Sequence, residues 1–321
     1  MQQILAMLAE GGYVSGEEMS RRMGITRAAV WKKIRQLQAE GWPVESGGKR
    51  GYHLAACDRL EPALWQGSLA TRALGKGEVC FLPRVDSTNS RLKRMAAEGA
   101  PHGSLCIAEE QTAGRGRLGR TWVSQPGTGL WQSVLLRPEL PPEKAPLLTF
   151  CAALAMAQAV ESCTGLAPGI KWPNDLVLGG KKICGILLEL SAEPEQIEYV
   201  VAGVGLNVLR GAVPPELTGQ AASLEDFTAP PLRRRILCAY LAALEAASDA
   251  VAAGGWEAIA EDYKARCVTL GSRVRVSGAL CCEGTAEDVD GDGALWIRED
   301  GGQRRRVLSG DVSVRGVMGY V

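Results

Sequence analysis

Histidine is nearly absent: His53 and His102 are the only two in 321 residues. That scarcity argues against a histidine-rich zinc centre and against Ser-His-Asp catalysis, both of which need imidazole at fixed places. The ten cysteines contain no CxxC pair. Scattered in a long chain, they predict reduced thiols that fill the core, with no disulfide framework. Net charge is also missing, with 36 basic and 36 acidic side chains. A uniformly basic nucleic-acid-binding chain is excluded, but a local basic patch is not. The opening MQQILAMLAEGG lacks a basic n-region and a cleavage site. The longest apolar stretch, Leu147 to Val160, is broken by Thr149 and Gln158 and falls short of a bilayer span. A soluble, cytoplasmic protein without a membrane segment is expected. What is present is ordinary for a globular chain, 46% hydrophobic and 22% charged, and the length predicts two or three domains.

Split by segment, the zero charge becomes +3 over residues 1–60, −2 over 61–270 and −1 over 271–321. From Arg21 to Arg50 there are eight bases against Glu40 and Glu45. Ile4, Leu5 and Leu8 give a short apolar face. Ser15-Gly-Glu-Glu18 is a capping box that should start a helix, and Gly24 should end it. Val30, Ile34 and Leu37 share a face of a second helix from about Thr26 to Glu40. Arg27, Trp31, Lys32, Lys33 and Arg35 lie opposite. Pro43 to Glu45 and Gly51 to Leu54 read as strands, with Ser46-Gly47-Gly48 as their turn and Lys49 and Arg50 beside it. The sum is a winged helix-turn-helix. It suits a helix in the major groove and a hairpin tip on phosphates, with Arg27, Lys32, Lys33, Lys49 and Arg50 as DNA-binding candidates. A packed domain with a merely solvated basic face is the alternative. Trp31 fits either contact with DNA or packing against the wing.

The middle segment alternates patterns. Strands are expected at Val79 to Val85, Leu130 to Leu136, Ile170, Leu176 to Leu178, Ile183 to Leu190 and Tyr199 to Val208. Helices are expected at Arg91 to Glu98, Pro146 to Thr164 and Leu232 to Ala252. Strands joined by tight turns such as Gly179-Gly180 argue for a mixed, largely antiparallel sheet backed by helices, unlike a Rossmann alternation. The last fifty residues carry short alternating runs (Val274, Val276, Leu295, Ile297, Val307, Val312, Val314) between glycines, which predicts a small β-barrel of SH3 type joined near Thr269. The expected fold class is therefore α+β in three domains: 1–60, 61–269 and 270–321.

Five motifs carry chemistry. Gln111 to Pro138 holds four arginines and no carboxylate, and Gln111-Thr-Ala-Gly114-Arg115-Gly116-Arg117-Leu118-Gly119-Arg120-Thr-Trp122 interleaves them with glycine. Glycine admits close backbone approach, and guanidinium forks match phosphate or carboxylate oxygens. An anion-binding lid is the sharp reading, a solvated RG loop the bland one. Lys171-Trp172-Pro173-Asn174-Asp175 could read a base or sugar, hold Mg²⁺, or be an ordinary turn. In Lys182-Ile-Cys-Gly185-Ile-Leu-Leu-Glu189 a lysine enters a buried strand, so Lys182 is a candidate for a carboxylate or α-phosphate, or else a plain hairpin lysine. Gly203-Val-Gly205-Leu-Asn207 has glycines on one face and an amide at its end. Asp86-Ser87-Thr88-Asn89 is a polar cluster at a strand-to-helix junction, and could be only a helix cap.

Taken together and in this order, Ser87-Thr88-Asn89, Gln111 with GRGRLGRTW, KWPND, KICGILLE and GVGLN resemble the biotin–protein ligases. The resemblance covers about 61 to 321, and the winged helix ahead of it resembles the members that also repress the biotin operon. It implies a ligase domain like the class II aminoacyl-tRNA synthetases. It also implies two steps: biotin carboxylate attacks the α-phosphate of ATP, then an acceptor lysine attacks biotinyl-5′-AMP. By resemblance, Ser87, Thr88, Asn89 and Gln111 face biotin. Arg115, Gly116 and Arg117 cover the carboxylate and the activated phosphate, and Lys182 lies on both. Arg120 meets triphosphate, and Trp122, Asn174, Asp175 and Asn207 form the nucleotide side. A segment from Arg210 to Leu224 is expected to close over adenine. Leu118 departs from relatives with another arginine there, which removes one possible phosphate contact. Lys182, Arg115 and Arg117 are the expected catalytic groups; ATP, Mg²⁺ and biotin are the implied small molecules. The implied partners are a biotin carboxyl carrier domain, operator DNA and a second copy of the chain. Joining two anions needs such cationic charge and alignment, and a lid keeps water from the anhydride. A lipoate–protein ligase of the same broad fold, and a repressor that only senses ligand, are the competing readings.

Overall fold

The computed structural model describes residues 1–231, 233–278, 280–309 and 312–316. The chain divides into two compact units, one of residues 1–69 with 232–235, the other of 70–231 with 236–321.

The first unit opens with α1 (Gln2–Ala9), α2 (Gly16–Met23) and α3 (Arg27–Ala39). Capping sets their ends. The Ser15 hydroxyl accepts from the Glu18 amide at 3.0 Å, Gly24 ends α2 at φ 63°, and Thr26 Oγ1 accepts from the Ala29 amide at 3.2 Å. Ile4, Leu5, Leu8, Met19, Val30, Ile34 and Leu37 bury the shared apolar face. The hairpin of β1 (Val44–Ser46) and β2 (Tyr52–Leu54) follows. Its reversal corrects the sequence reading: the turn runs over Gly48–Arg50, so Lys49 and Arg50 form the tip instead of flanking it. Gly48 and Gly51 hold positive φ, and a side chain on Gly51 would strike the Val14 carbonyl, which sets the turn two residues later than Ser46-Gly47-Gly48.

The second unit holds β3 (Val79–Leu82), α4 (Thr88–Ala97), β4 (Leu105–Ala108), β5 (Gly129–Leu136), α5 (Leu147–Thr164), β6 (Gly169–Lys171), β7 (Asp175–Leu178), β8 (Lys181–Ala192) and β9 (Ile197–Asn207). The seven strands form one mixed sheet, ordered β3-β4-β5-β9-β8-β7-β6. Only β3 and β4 run parallel; the other pairs are antiparallel. Three expectations shift. β3 stops at Leu82, β4 was not foreseen, and α4 begins one turn early because Ser87 is itself its N-cap, accepting from the Ser90 amide at 3.4 Å. Leu92, Met95 and Ala96 of α4 pack on Cys106, Leu135 and Val201 of the sheet.

Next come α6 (Arg233–Gly254) and α7 (Ala260–Arg266); Leu232, where the sequence reading starts α6, lies outside the described residues. By length and apolarity alone α5, with the turn before it, and α6 could cross a membrane; 67% of the first window and 39% of the second are buried inside this fold. Twelve of the eighteen α5 residues are buried, as in the core helix of a globular domain. The chain ends in β10 (Arg273–Gly278), β11 (Cys282–Val289), β12 (Leu295–Arg298), β13 (Arg304–Val307) and β14 (Val312–Gly316), an antiparallel sheet ordered β13-β12-β11-β10-β14.

Candidate active site

One cleft of about 340 Å³ in the second unit gathers every ligand residue expected from sequence. Ser87, Thr88, Asn89, Gln111, Arg115, Gly116, Arg117, Arg120, Trp122, Asn174, Asp175, Lys182 and Asn207 all line it. They come from α4, the loop before β5, and strands β7 to β9, separated by up to 120 positions in the chain.

The end at α4 is a closed polar network. Gln111 Oε1 accepts from the Thr88 amide at 2.9 Å and from Thr88 Oγ1 at 3.1 Å, while its Nε2 donates to Ser124 Oγ at 2.9 Å. Ser133 Oγ lies 2.8 Å from Thr88 Oγ1 and 2.6 Å from Asn89 Oδ1. Asn89 Nδ2 donates to Leu187 O at 3.2 Å and to Glu189 Oε2 at 2.9 Å, so both its N–H groups are taken. Gly203 makes room, since a Cβ there would overlap the Asn89 amide. Ser133 was missed in the sequence. Its signal was the polar Gln132-Ser133 pair inside an otherwise apolar strand.

The arginine loop folds back on itself. Gly116 N donates to Arg120 O at 2.7 Å and Trp122 N to Gly114 O at 2.9 Å, and Leu118 and Gly119 turn the chain with φ 55° and 70°. Leu118 is thus a non-glycine residue in the left-handed region, and it stays exposed. Arg115 Nη2 reaches Ser90 Oγ at 3.0 Å and Glu189 Oε2 at 2.9 Å. Arg117 Nη1 donates to Asn174 Oδ1 at 2.9 Å, and its Nη2 meets the Ser309 carbonyl. Burial pushes the Arg117 guanidinium down from its ordinary pKa, with Asp175 opposing. Trp122 lies over the Gly185–Gly205 register pair, where a Cβ on either glycine would strike the indole. Its buried Nε1 has no hydrogen-bond partner among the described residues.

Across the cleft, Lys182 Nζ pairs with Asp175 Oδ1 at 2.7 Å and stands 5.1 Å from the Trp122 ring centre. Asn174 Nδ2 donates to Ile186 O at 2.8 Å, and Asn207 Nδ2 to Ala222 O at 3.2 Å. The Trp172–Pro173 peptide is cis. Lys171 was quoted in its motif but given no role. It is buried in the cleft wall opposite Asp175 in the β6–β7 register, and burial, with Lys182, Arg315 and Arg120 adding to it, pushes its ammonium down to about 8. Ala212, Val213, Pro214, Leu217, Gln220 and Ala221, within the segment expected over adenine, line the cleft, as do Val314 and Arg315 of β14. Trp172 N donates to Thr269 Oγ1 at 2.9 Å and Trp172 Nε1 to Gly293 O at 3.1 Å, tying KWPND to the C-terminal sheet. Asp175 is the single carboxylate among the lining residues. Among the described residues no three His, Cys, Asp or Glu side chains cluster in a way that could hold a metal ion.

In the first unit, Arg27, Lys32, Lys49 and Arg50 are exposed, while Lys33 is half-buried. Arg50 stacks 4.1 Å over the Tyr13 ring. Trp31 is 53% exposed, with Arg35 5.4 Å from its ring centre, so it lies open on α3.

A model of the biotin/lipoate A/B protein ligase family matches residues 81–207, an HTH domain model residues 1–53, and a biotin protein ligase C terminal domain model residues 269–315. The bifunctional ligase/repressor BirA of Bacillus subtilis is 32% identical over 320 residues, with 97% of each chain covered. This chain belongs to the bifunctional biotin–protein ligase and repressor family. The BirA of Escherichia coli is likewise 32% identical to this family member, over 97% of this chain and 96% of its own. The biotin--[acetyl-CoA-carboxylase] ligase of Mycobacterium tuberculosis is 39% identical over 79% of this ligase/repressor chain and 97% of its own. The biotin protein ligase of Aquifex aeolicus, solved with biotin and ATP, is 29% identical and superposes with a TM-score of 0.66 over 74% of this chain and 99% of that one.

Proposed function

We propose that this chain activates biotin with ATP and transfers the biotinyl group to a lysine of the biotin carboxyl carrier domain of acetyl-CoA carboxylase. We further propose that its first unit makes it a biotin-responsive repressor of biotin synthesis genes. The observation that carries the reading is the convergence of thirteen residues from five separate motifs on one cleft that is rich in cations and poor in acids.

Each end of the cleft suits one substrate. Biotin is a neutral bicycle bearing one carboxylate. Its ureido end belongs by Ser87, Thr88 and Gln111, with Asn89 bracing them, because the inventory of this network leaves Asn89 no N–H to give. The carboxylate and the α-phosphate belong among Arg115, Gly116, Arg117 and Lys182. Trp122, Asn174, Asp175 and Asn207 form the nucleotide side, with Arg120 toward triphosphate. The free Trp122 Nε1 offers a donor there. The carboxylate oxygen attacks the α-phosphorus and pyrophosphate leaves. The acceptor amine then attacks the anhydride carbonyl and AMP leaves. Lysine and arginine offset the charge that two approaching anions would otherwise oppose, and the loop over them excludes water. Mg²⁺ would offset polyphosphate charge when bound, and Asp175 is the carboxylate in the cleft wall that could help hold it.

The central sheet is assigned to the class II synthetase-like type, and the five-stranded order with β14 returned beside β10 favours an SH3-like barrel. The domain limits remain 1–60, 61–269 and 270–321; the matched spans 1–53 and 269–315 lie near the first and last, and 81–207 lies well inside the middle one. Ten free cysteines favour a reducing compartment, the cytoplasm. Two copies on a palindromic operator would use Arg27, Lys32, Lys33, Lys49 and Arg50 on bases and phosphates.

The decisive experiment is incubation with ATP, Mg²⁺, biotin and a carrier domain, followed by mass measurement of the carrier. A gain of one biotinyl group is expected; an unmodified carrier sinks the reading. Because the matched family also includes lipoate ligases, lipoate competes in a second arm and should lose. Gel shifts on the chain's own upstream DNA, with and without biotin and ATP, test repression.

A further inference from the structure

One charged group by the cleft is unused in this scheme. Glu189 lies on β8 two residues past Leu187, with its side chain 20% exposed. Its carboxylate gathers donors from α4 and from the arginine loop. Oε2 accepts from Asn89 Nδ2 at 2.9 Å and from Arg115 Nη2 at 2.9 Å, and Oε1 lies 3.2 Å from Lys93 Nζ. Asn89 and Lys93 are one turn apart on α4, so strand, helix and loop meet at a single carboxylate.

We infer that Glu189 is a positioning residue that locks the biotin end of the cleft and latches the arginine loop to it. The inference rests on the cleft taking biotin. Asn89 has two N–H groups and one oxygen, held by Glu189, Leu187 O and Ser133, and the space opposite is closed down to a glycine. With Glu189 removed, one N–H loses its partner and the amide can turn. Thr88 and Gln111, joined to Asn89 through Ser133, then lose their fixed geometry. Arg115 would keep only Ser90 of these two anchors. The same latch directs the Arg115 charge onto Glu189. Held there, the Arg115 guanidinium stays beside the biotin end of the cleft, with Arg117 and Lys182 engaged by Asn174 and Asp175. A carboxylate accepting from guanidinium, ammonium and amide together is a strong and directional anchor.

The test uses the full chain and steady-state transfer to a carrier domain, with trypsin as a probe of Arg115, Arg117 and Arg120. Glu189→Ala should raise KM for biotin about tenfold, the order of one lost charge-assisted hydrogen bond, with a smaller change in kcat. It should also speed cleavage in the loop, and saturating biotin and ATP should restore protection. Glu189→Gln, which keeps one acceptor and the side-chain volume, should fall between, and it carries the test if the alanine variant fails to fold. Wild-type KM and cleavage in the glutamine variant, or a fall in kcat at unchanged KM, would overturn the inference. A wild-type chain that transfers no biotin would instead sink the functional reading on which it rests.

Discussion

Lys171 shows how one residue reports the purpose of a site. Its ammonium is buried beside one carboxylate and near three other cations, and its pKa falls from 10.5 to about 8. A depressed lysine pKa means that the folded state resists the proton. Between about pH 8 and 10.5 the unfolded chain binds the proton and the folded chain does not, so stability rises with pH across that window. Below pH 8 the cost is fully present, roughly 3 kcal/mol. Lys171→Met should therefore unfold at higher denaturant at pH 7, with the advantage shrinking by pH 10, and should lose adenylate formation. Lower stability at pH 7 would show that the lysine is a net stabiliser. A group kept at such a cost, inside a cleft, fits a role toward anionic ligands. Gly205 makes the complementary case by omission. Gly205→Ala would push its methyl group into the Trp122 indole, so KM for ATP should rise at least tenfold with biotin binding by calorimetry little changed.

At the scale of elements, legibility followed local chemistry. The helices of the first unit were readable because each carries its own cap and one apolar face: Ser15 and Thr26 accept amide protons where the sequence places them. β4 was not, because Leu105-Cys-Ile-Ala108 is buried on both faces and shows no alternation to distinguish it. α4 was misjudged by a turn because Thr88 and Asn89 are poor helix formers whose tertiary partners, Gln111 and Ser133, lie far away in sequence. The same non-locality hid Ser133 and the role of Lys171, whereas the arginine loop was plain from composition alone. The β1–β2 tip carries a prediction of its own. Lys49 stands exposed at the turn, so Lys49→Ala should weaken operator binding for all sequences alike and reduce the salt slope of log K by about one. A change confined to one base pair would mean that Lys49 reads sequence.

For the whole molecule, the zero net charge is a balance between a basic first segment, a slightly acidic middle and a C-terminal sheet in which several arginines meet carboxylates. Arg304 meets Glu287, Arg305 meets Glu299, and Arg306 meets Asp290 and Asp292. If the adenylate orders the loops of the second unit, it should stabilise the chain by about 2.7 kcal/mol at a hundred times its Kd. Scanning calorimetry with biotin and ATP, against biotin alone, should show the rise in Tm, and operator affinity should increase in parallel. Stabilisation without any gain on DNA would separate the two activities.

The tie between Trp172 and Gly293 has a consequence for how the protein is made. The indole donates to a carbonyl 121 residues further along, at a turn where a side chain would collide with Phe150 of α5. During synthesis the KWPND segment leaves the ribosome long before the turn that holds its indole. Until then the nascent chain carries the cleft's lysines and arginines without Val314 and Arg315, which complete its lining. A chain shortened to end before β10 should therefore form no adenylate, and adenylate made by the shortened chain would show that the last sheet is dispensable.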